Sequence, residues 1–160
     1  MSTRRYTAWR FVHPDLDVPA AHAQPADAHL PSRTGLRLEA RGAVQMVSED
    51  DSVRQAVLLL LTTRPGERLM RPTYGCNLAQ LVFSPNDDTT AAIAVHHVRR
   101  ALERWEPRID ILKLDAAPAS ESARSPDDSN VLLITLEYQV RTTRSREVVQ
   151  LTLDMQGAAV

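Results

Sequence analysis

Ten residues near the C-terminus, "VLLITLEYQV" at 131–140, constrain the fold most. Leu132, Ile134, Leu136, Tyr138 and Val140 alternate with Leu133, Thr135, Glu137, Gln139 and Arg141. In an extended chain successive side chains point to opposite faces, so this is a strand with one apolar face and one polar face. Val149, Leu151 and Leu153 repeat the alternation after "TTRSR". The pair predicts a β-hairpin with a basic tip formed by Arg141, Arg144 and Arg146. A sheet that is apolar on one side must be covered, and two helical patterns upstream can cover it.

The first of these follows Ser48, an expected N-cap with Glu49, Asp50 and Asp51 in the first turn, where negative charge is favoured. Val53, Ala56, Val57, Leu60 and Leu61 form its stripe, widened by Leu58 and Leu59. "RPGE" ends it, with Pro65 and Gly66 suited to the centre of a type II turn. The second begins at Asp87 or Asp88 and carries Ala94, Val98, Ala101, Leu102 and Trp105 on one face. Leu78, Leu81 and Val82 suggest a short third helix between them, and a strand is expected from Ile109 to about Ala116. The expected fold is α+β: a compact single domain, about three helices packed on a mostly antiparallel sheet with a C-terminal hairpin.

Residues 1–34 are expected to form an extended or disordered arm and 35–160 the domain. Within the arm, 13–34 hold four prolines and little apolar periodicity. Order is expected from about "GLRLEARGAVQMV", with Leu36, Leu38 and Ala40 alternating and a short strand within 43–47. Residues 117–130 read as a polar loop.

Of 160 residues, 43% are hydrophobic and 24% charged, ordinary for a globular chain. A net charge of −1 provides no field for nucleic acid or anionic membrane. The longest apolar run, "AVLLLLTT", falls far short of a span, and no signal peptide is visible, so cytoplasmic synthesis and assembly are expected. The single cysteine, Cys76, excludes an internal disulfide and a cysteine-cluster zinc site; it reads as a small semi-buried residue. His13, His22 and His29 are spaced by nine and seven, which fits no compact ligand motif. His96 and His97 are adjacent on a helix and point about 100° apart. No metal and no cofactor is expected.

"RWEPRID" at 104–110 is unusual. Pro107 disfavours α geometry at Glu106, so the helix ends there, with an acid at its negative pole. In an extended stretch Glu106 and Arg108 point the same way. They form either an internal ion pair or a stiff docking knob with a donor fork and an acceptor side by side.

These residues carry a resemblance. "LLTTRPGERLMRPTYGCNLAQLVFSP", a helix, and "ALERWEPRIDI" together resemble the GPW/gene-product-25 family, baseplate proteins of contractile phage tails, type VI secretion systems and extracellular contractile injection systems. The matching positions are Thr63, Gly66, Glu67, Arg68, Pro72, Tyr74, Gly75, Phe83, Pro85, Glu106, Pro107 and Arg108, within about residues 35–155. The resemblance implies a structural baseplate component that docks onto larger wedge subunits and initiates the sheath. Its Glu106-Pro107-Arg108 knob would meet the core bundle of the wedge. Gly66, Glu67, Arg68, Tyr74 and Gly75 would brace or dock the turn. The hairpin, with Tyr138, Arg141, Arg144, Arg146, Val149 and Leu151, would receive an extended sheath arm. Inner tube or hub proteins are further implied partners; nucleic acid and membrane insertion are not. The long N-terminal arm inclines the expectation toward an extracellular-type injection system or phage-tail-like particle over a type VI machine.

Two other functions fit the same resemblance. Some family members carry a lysozyme label, and the fold also occurs in a bacterial anti-adaptor. Glycoside hydrolysis needs two carboxylates, one held protonated. Glu67 and Glu106 are the candidates, yet both have arginine neighbours, which favour the ionised form. An anti-adaptor has no need of the Glu-Pro-Arg knob that this chain keeps.

Overall fold

The computed structural model describes residues 7–12, 35, 36, 38, 41–119 and 130–156. The histidines at 13, 22 and 29, and most of the expected arm and polar loop, lie outside them. The chain divides into two compact units, 1–58 and 59–160.

In the first unit, strands β1 (Thr7–Trp9) and β4 (Met46–Ser48) pair antiparallel, as do β2 (Phe11–Val12) and β3 (Gly35–Leu36). Residues 7–9, 11 and 12 therefore belong to strands, although they fall within the expected arm. Runs this short cannot hold themselves, and one buried side chain secures them. Gln55, on helix α1 (Glu49–Thr62), donates to the Trp9 carbonyl at 2.7 Å and accepts from the Phe11 N–H at 3.0 Å. A primary amide is suited to this, since it donates and accepts from one planar group. The chain enters α1 through Glu49 at φ 54°. Val53 and Val57 are fully buried and Leu58, Leu60 and Leu61 nearly so, the expected stripe.

In the second unit, strands β5 (Ile109–Pro118), β6 (Val131–Val140) and β7 (Arg146–Asp154) form an antiparallel sheet in that order. Leu132, Ile134, Leu136, Tyr138 and Val140 are all buried. Register places Val149, Leu151 and Leu153 on the same face, opposite Leu136, Ile134 and Leu132. Helix α2 (Asp88–Trp105) covers this face along β5 and β6 with Ala94, Val98, Ala101 and Leu102. Its N-cap is Asp87, whose Oδ1 accepts the Thr90 N–H at 2.8 Å. The β5–β6 register shifts between Ile111 and Lys113. Leu112 is the inserted residue of a bulge, and from there the covered side passes from odd to even positions, Leu114 and Ala116.

The expected third α-helix is not formed. The described residues hold two α-helices, and Asn77–Leu81 is a 3-10 helix. Leu78 and Leu81 are buried, and a spacing of three serves one 3-10 turn as well as an α-helix. Five residues are too few to repay α-helix nucleation. The fold is thus mixed α and β, with the predicted hairpin as two strands of a three-stranded sheet.

Candidate docking site

Helix α2 ends where the Glu106 N–H donates to the Leu102 carbonyl at 2.8 Å, and Pro107 permits no further turn. The Arg108 carbonyl then accepts the Arg141 N–H at 2.9 Å, which ties the corner to the end of β6. With its backbone fixed on both sides, Arg108 folds back onto Glu106. Nε meets Oε1 at 2.5 Å and Nη2 meets Oε2 at 2.6 Å, a bidentate fork. The Glu106 side chain is only 6% exposed and that of Arg108 24%. Of the two expected arrangements, the structure contains the internal ion pair, and Pro107 is the exposed member of the triplet.

Beside this pair lies an open concavity of about 380 Å³. Charged side chains of Arg99, Glu103, Glu106, Asp110 and Arg141 line it, over a floor that includes Leu102 and Ile109. Arg141 is engaged here: its Nη2 lies 2.7 Å from Asp110 Oδ1 on β5. That partner was not expected from the sequence, because the two residues are 31 positions apart.

The turn region is built from consecutive reversals. The Glu67 N–H donates to the Arg64 carbonyl at 3.2 Å with Gly66 at φ 97°, the expected type II turn. The Glu67 carboxylate accepts the Arg64 N–H at 2.9 Å, so it braces its own turn. The Arg71 N–H donates to the Arg68 carbonyl at 3.2 Å, closing a second reversal around Leu69 and Met70. The base is closed by the Cys76 N–H on the Thr63 carbonyl at 2.9 Å. Gly75 has φ 124°, and a Cβ there would lie 3.0 Å from the Arg64 carbonyl carbon and run into the Thr63 oxygen. Only glycine permits that approach.

A stack joins this turn to the end of α2. The Arg68 guanidinium lies 4.1 Å from the Tyr74 ring centre, and Tyr74 meets Trp105 edge-on at 5.4 Å. Trp105 Nε1 donates to the Thr73 carbonyl at 3.1 Å. Burial pushes the Tyr74 phenol above its ordinary value, against the pull of Arg68. Trp105 thus has a second role besides its expected place on the apolar face; an indole at the last helical position, next to a turn, is the sequence signal for it.

The hairpin tip is a four-residue loop, 141–144, closed between Val140 and Ser145 with no residue inserted in the register. Val140 accepts from the Arg144 N–H at 2.8 Å and donates to the Ser145 carbonyl at 2.9 Å, with Arg144 at φ 62°. Tyr138 and Val149 are buried and Leu151 half-buried, so their side chains belong to the covered face. The Met155 N–H bonds to the Asn130 carbonyl at 2.8 Å. Counting back in twos, the N–H groups of 153, 151, 149 and 147 point toward β6, and those of Arg146, Val148, Gln150, Thr152 and Asp154 point away. No further strand pairs with β7 among the described residues.

Among the described residues no cluster of three His, Cys, Asp or Glu side chains could hold a metal ion, and no helix is long and apolar enough to cross a membrane.

The family model described as baseplate wedge protein gp25 matches residues 47–145. The baseplate wedge protein gp25 of Enterobacteria phage T4 is 28% identical over 89 residues, which is 56% of this chain and 62% of the phage protein. The chain thus spans less than two thirds of that relative. A Geobacter sulfurreducens protein described as a candidate tail lysozyme is 32% identical, with a TM-score of 0.61 over 73% of this chain and 100% of that one. A chain of the anti-feeding prophage baseplate shares the fold, with a TM-score of 0.57 and 23% identity over 66% of this chain and 80% of that one.

Proposed function

The chain belongs to the baseplate wedge protein gp25 family, and from that premise we propose that it is a structural component of a contractile injection baseplate that docks onto wedge subunits and starts the sheath. Its site residues act by shape and charge, without catalysis. The concavity beside Glu106 and Pro107 receives a segment of a larger wedge subunit, with Pro107 as the exposed corner and Arg99, Glu103 and Arg141 at the rim. The outward edge of β7 receives an extended arm from a sheath subunit by backbone pairing.

The observation that carries this reading is the state of the two candidate carboxylates. Glu106 is buried with both oxygens held by Arg108, and Glu67 holds a backbone N–H of its own turn. A glycosidase acid must present its carboxyl to a substrate oxygen and be free to exchange a proton. Neither residue is placed to do so, which favours a structural role over the activity in the Geobacter protein's description.

The test is Gln150→Pro, which removes a donor that points away from β6. The monomer should fold, and baseplates should form without extended sheath. Leu151→Pro, one residue on, removes a donor facing β6 and should unfold the protein. Normal sheathed particles from Gln150→Pro would refute strand addition. Peptidoglycan turnover by the purified chain that disappears in Glu106→Gln would refute the non-catalytic reading.

A further inference from the structure

The most exposed large apolar side chains among the described residues are neighbours. Leu69 is 94% exposed and Met70 97%. They are the two central residues of the reversal closed by the Arg71 N–H on the Arg68 carbonyl, so both project from its corner. Met70 sits at φ 67°, a region that residues with a Cβ avoid and where a type II turn ordinarily takes glycine or asparagine. Sequence that served folding alone would place a polar residue at the first position and glycine at the second.

The turn is well supported. The Gly66 N–H donates to the Pro72 carbonyl at 2.8 Å across its neck, the Tyr74 N–H donates to the Arg71 carbonyl at 3.0 Å, and Arg68 is stacked on Tyr74. Around the corner stand Arg64, Arg68 and Arg71, all exposed, while Glu67 is turned back onto the Arg64 N–H. The result is an apolar tip in a ring of positive charge, presented at little further entropic cost.

We infer that Leu69 and Met70 form an insertion plug for another protein subunit of the particle, one that offers an apolar cup rimmed by carboxylates. This rests on the proposed baseplate role and adds a contact separate from the Glu106 corner and the β7 edge. The apolar pair supplies the buried area, and the three guanidiniums select an acidic rim and reject a basic one. A left-handed methionine fits this use: local backbone strain persists where a side chain is held ready for a partner.

Two differently tagged copies, wild type and variant, are co-expressed with the remaining baseplate subunits, and their ratio in purified particles is measured by mass spectrometry. Leu69→Ser/Met70→Ser should be depleted about tenfold or more, with unchanged thermal unfolding of the isolated chain. Met70→Gly should separate docking from stability, because it relieves the left-handed strain and raises the melting temperature while still lowering occupancy. Arg71→Glu should be depleted and Arg71→Lys retained. Photo-methionine at position 70 should cross-link to a peptide of another subunit that carries apolar residues beside Asp or Glu. Equal occupancy of the double-serine variant overturns the plug and leaves the baseplate role standing. A cross-link only to this chain itself also overturns it, as does flotation with phosphatidylglycerol vesicles that the double-serine change abolishes. Absence of the wild-type chain from particles overturns the baseplate role itself.

Discussion

Replacing Arg108 by methionine should destabilise the protein, because the guanidinium's partner is inside it. Methionine keeps most of the aliphatic stem and removes the charge, so the loss is mainly electrostatic. Removing one member of a buried ion pair costs about 3–5 kcal/mol, because the remaining charge is left without a counter-ion. An exposed pair contributes only about 0–1 kcal/mol. Glu106, with a 6% exposed side chain, belongs to the first case, but a quarter of Arg108 is open and water can reach the vacated site. A loss of about 2–3 kcal/mol follows. For a chain of this size about 3 °C accompanies each kcal/mol, so the melting temperature should fall by about 6–9 °C. Glu106→Gln/Arg108→Met removes both charges and should be more stable than the sum of the single changes implies, with a coupling of at least about 1 kcal/mol. Of the two tryptophans, Trp9 is in the first unit and Trp105 in the second. Denaturant unfolding in a Trp9→Phe background, followed by Trp105 fluorescence, therefore reports on the unit that contains the pair. An Arg108→Met variant within about 0.5 kcal/mol of its parent, or an additive cycle, would refute the reasoning.

Two other perturbations test the turn. Gly75→Ala forces a Cβ into the backbone at 63–65, atoms that cannot rotate away, and should cost about 3 kcal/mol or more in the same unfolding assay; a cost under about 1 kcal/mol would mean the loop can re-route. Burial pushes the Cys76 thiol up to about 11, so it should resist thiol reagents at neutral pH until the protein unfolds. Its folded value lies above its unfolded one, so this contribution to stability is complete below about pH 9 and is lost as pH rises through about 11. Cys76→Ala should abolish up to roughly 2–3 kcal/mol of that alkaline loss, and identical alkaline slopes for the two proteins would contradict it.

Much of the second unit was legible because its patterns are long and one-sided. Ten alternating residues define β6 and its buried face, since a one-residue slip would expose all five apolar side chains. Helix α2 was equally plain from Ala94 to Trp105, as was the reversal at Pro65 and Gly66; its start was legible only as Asp87 or Asp88, and the Thr90 N–H bond to Asp87 decides between them. The features that were not legible depend on distant partners. Strands of two or three residues carry no period, and those at 7–12 are secured by a Gln55 amide more than forty positions away. The spacing of Leu78 and Leu81 fits two helix types. The inserted residue at Leu112 breaks the parity that any alternation count relies on. At the candidate site, Glu106 and Arg108 were identified as a pair, but two residues on one side of a strand can face water or the interior equally well. Burial was decided by the corner that the Arg108 carbonyl makes with Arg141.

The bulge in β5 gives the sheet a directional character. Beyond β5, Leu112 interrupts the regular spacing of backbone donors and acceptors, and Pro118 removes one donor outright. Beyond β7, five outward positions follow one another in even steps, 146 to 154. Such a sheet has a valence of one: an incoming strand finds a complete ladder on one flank and an interrupted one on the other. Two copies meeting through their regular flanks leave only irregular ones outward, so pairing stops at two instead of running on into a fibre. Among the described residues the β7 edge is unpaired, and irregularity on the far side of the sheet limits what that edge can start.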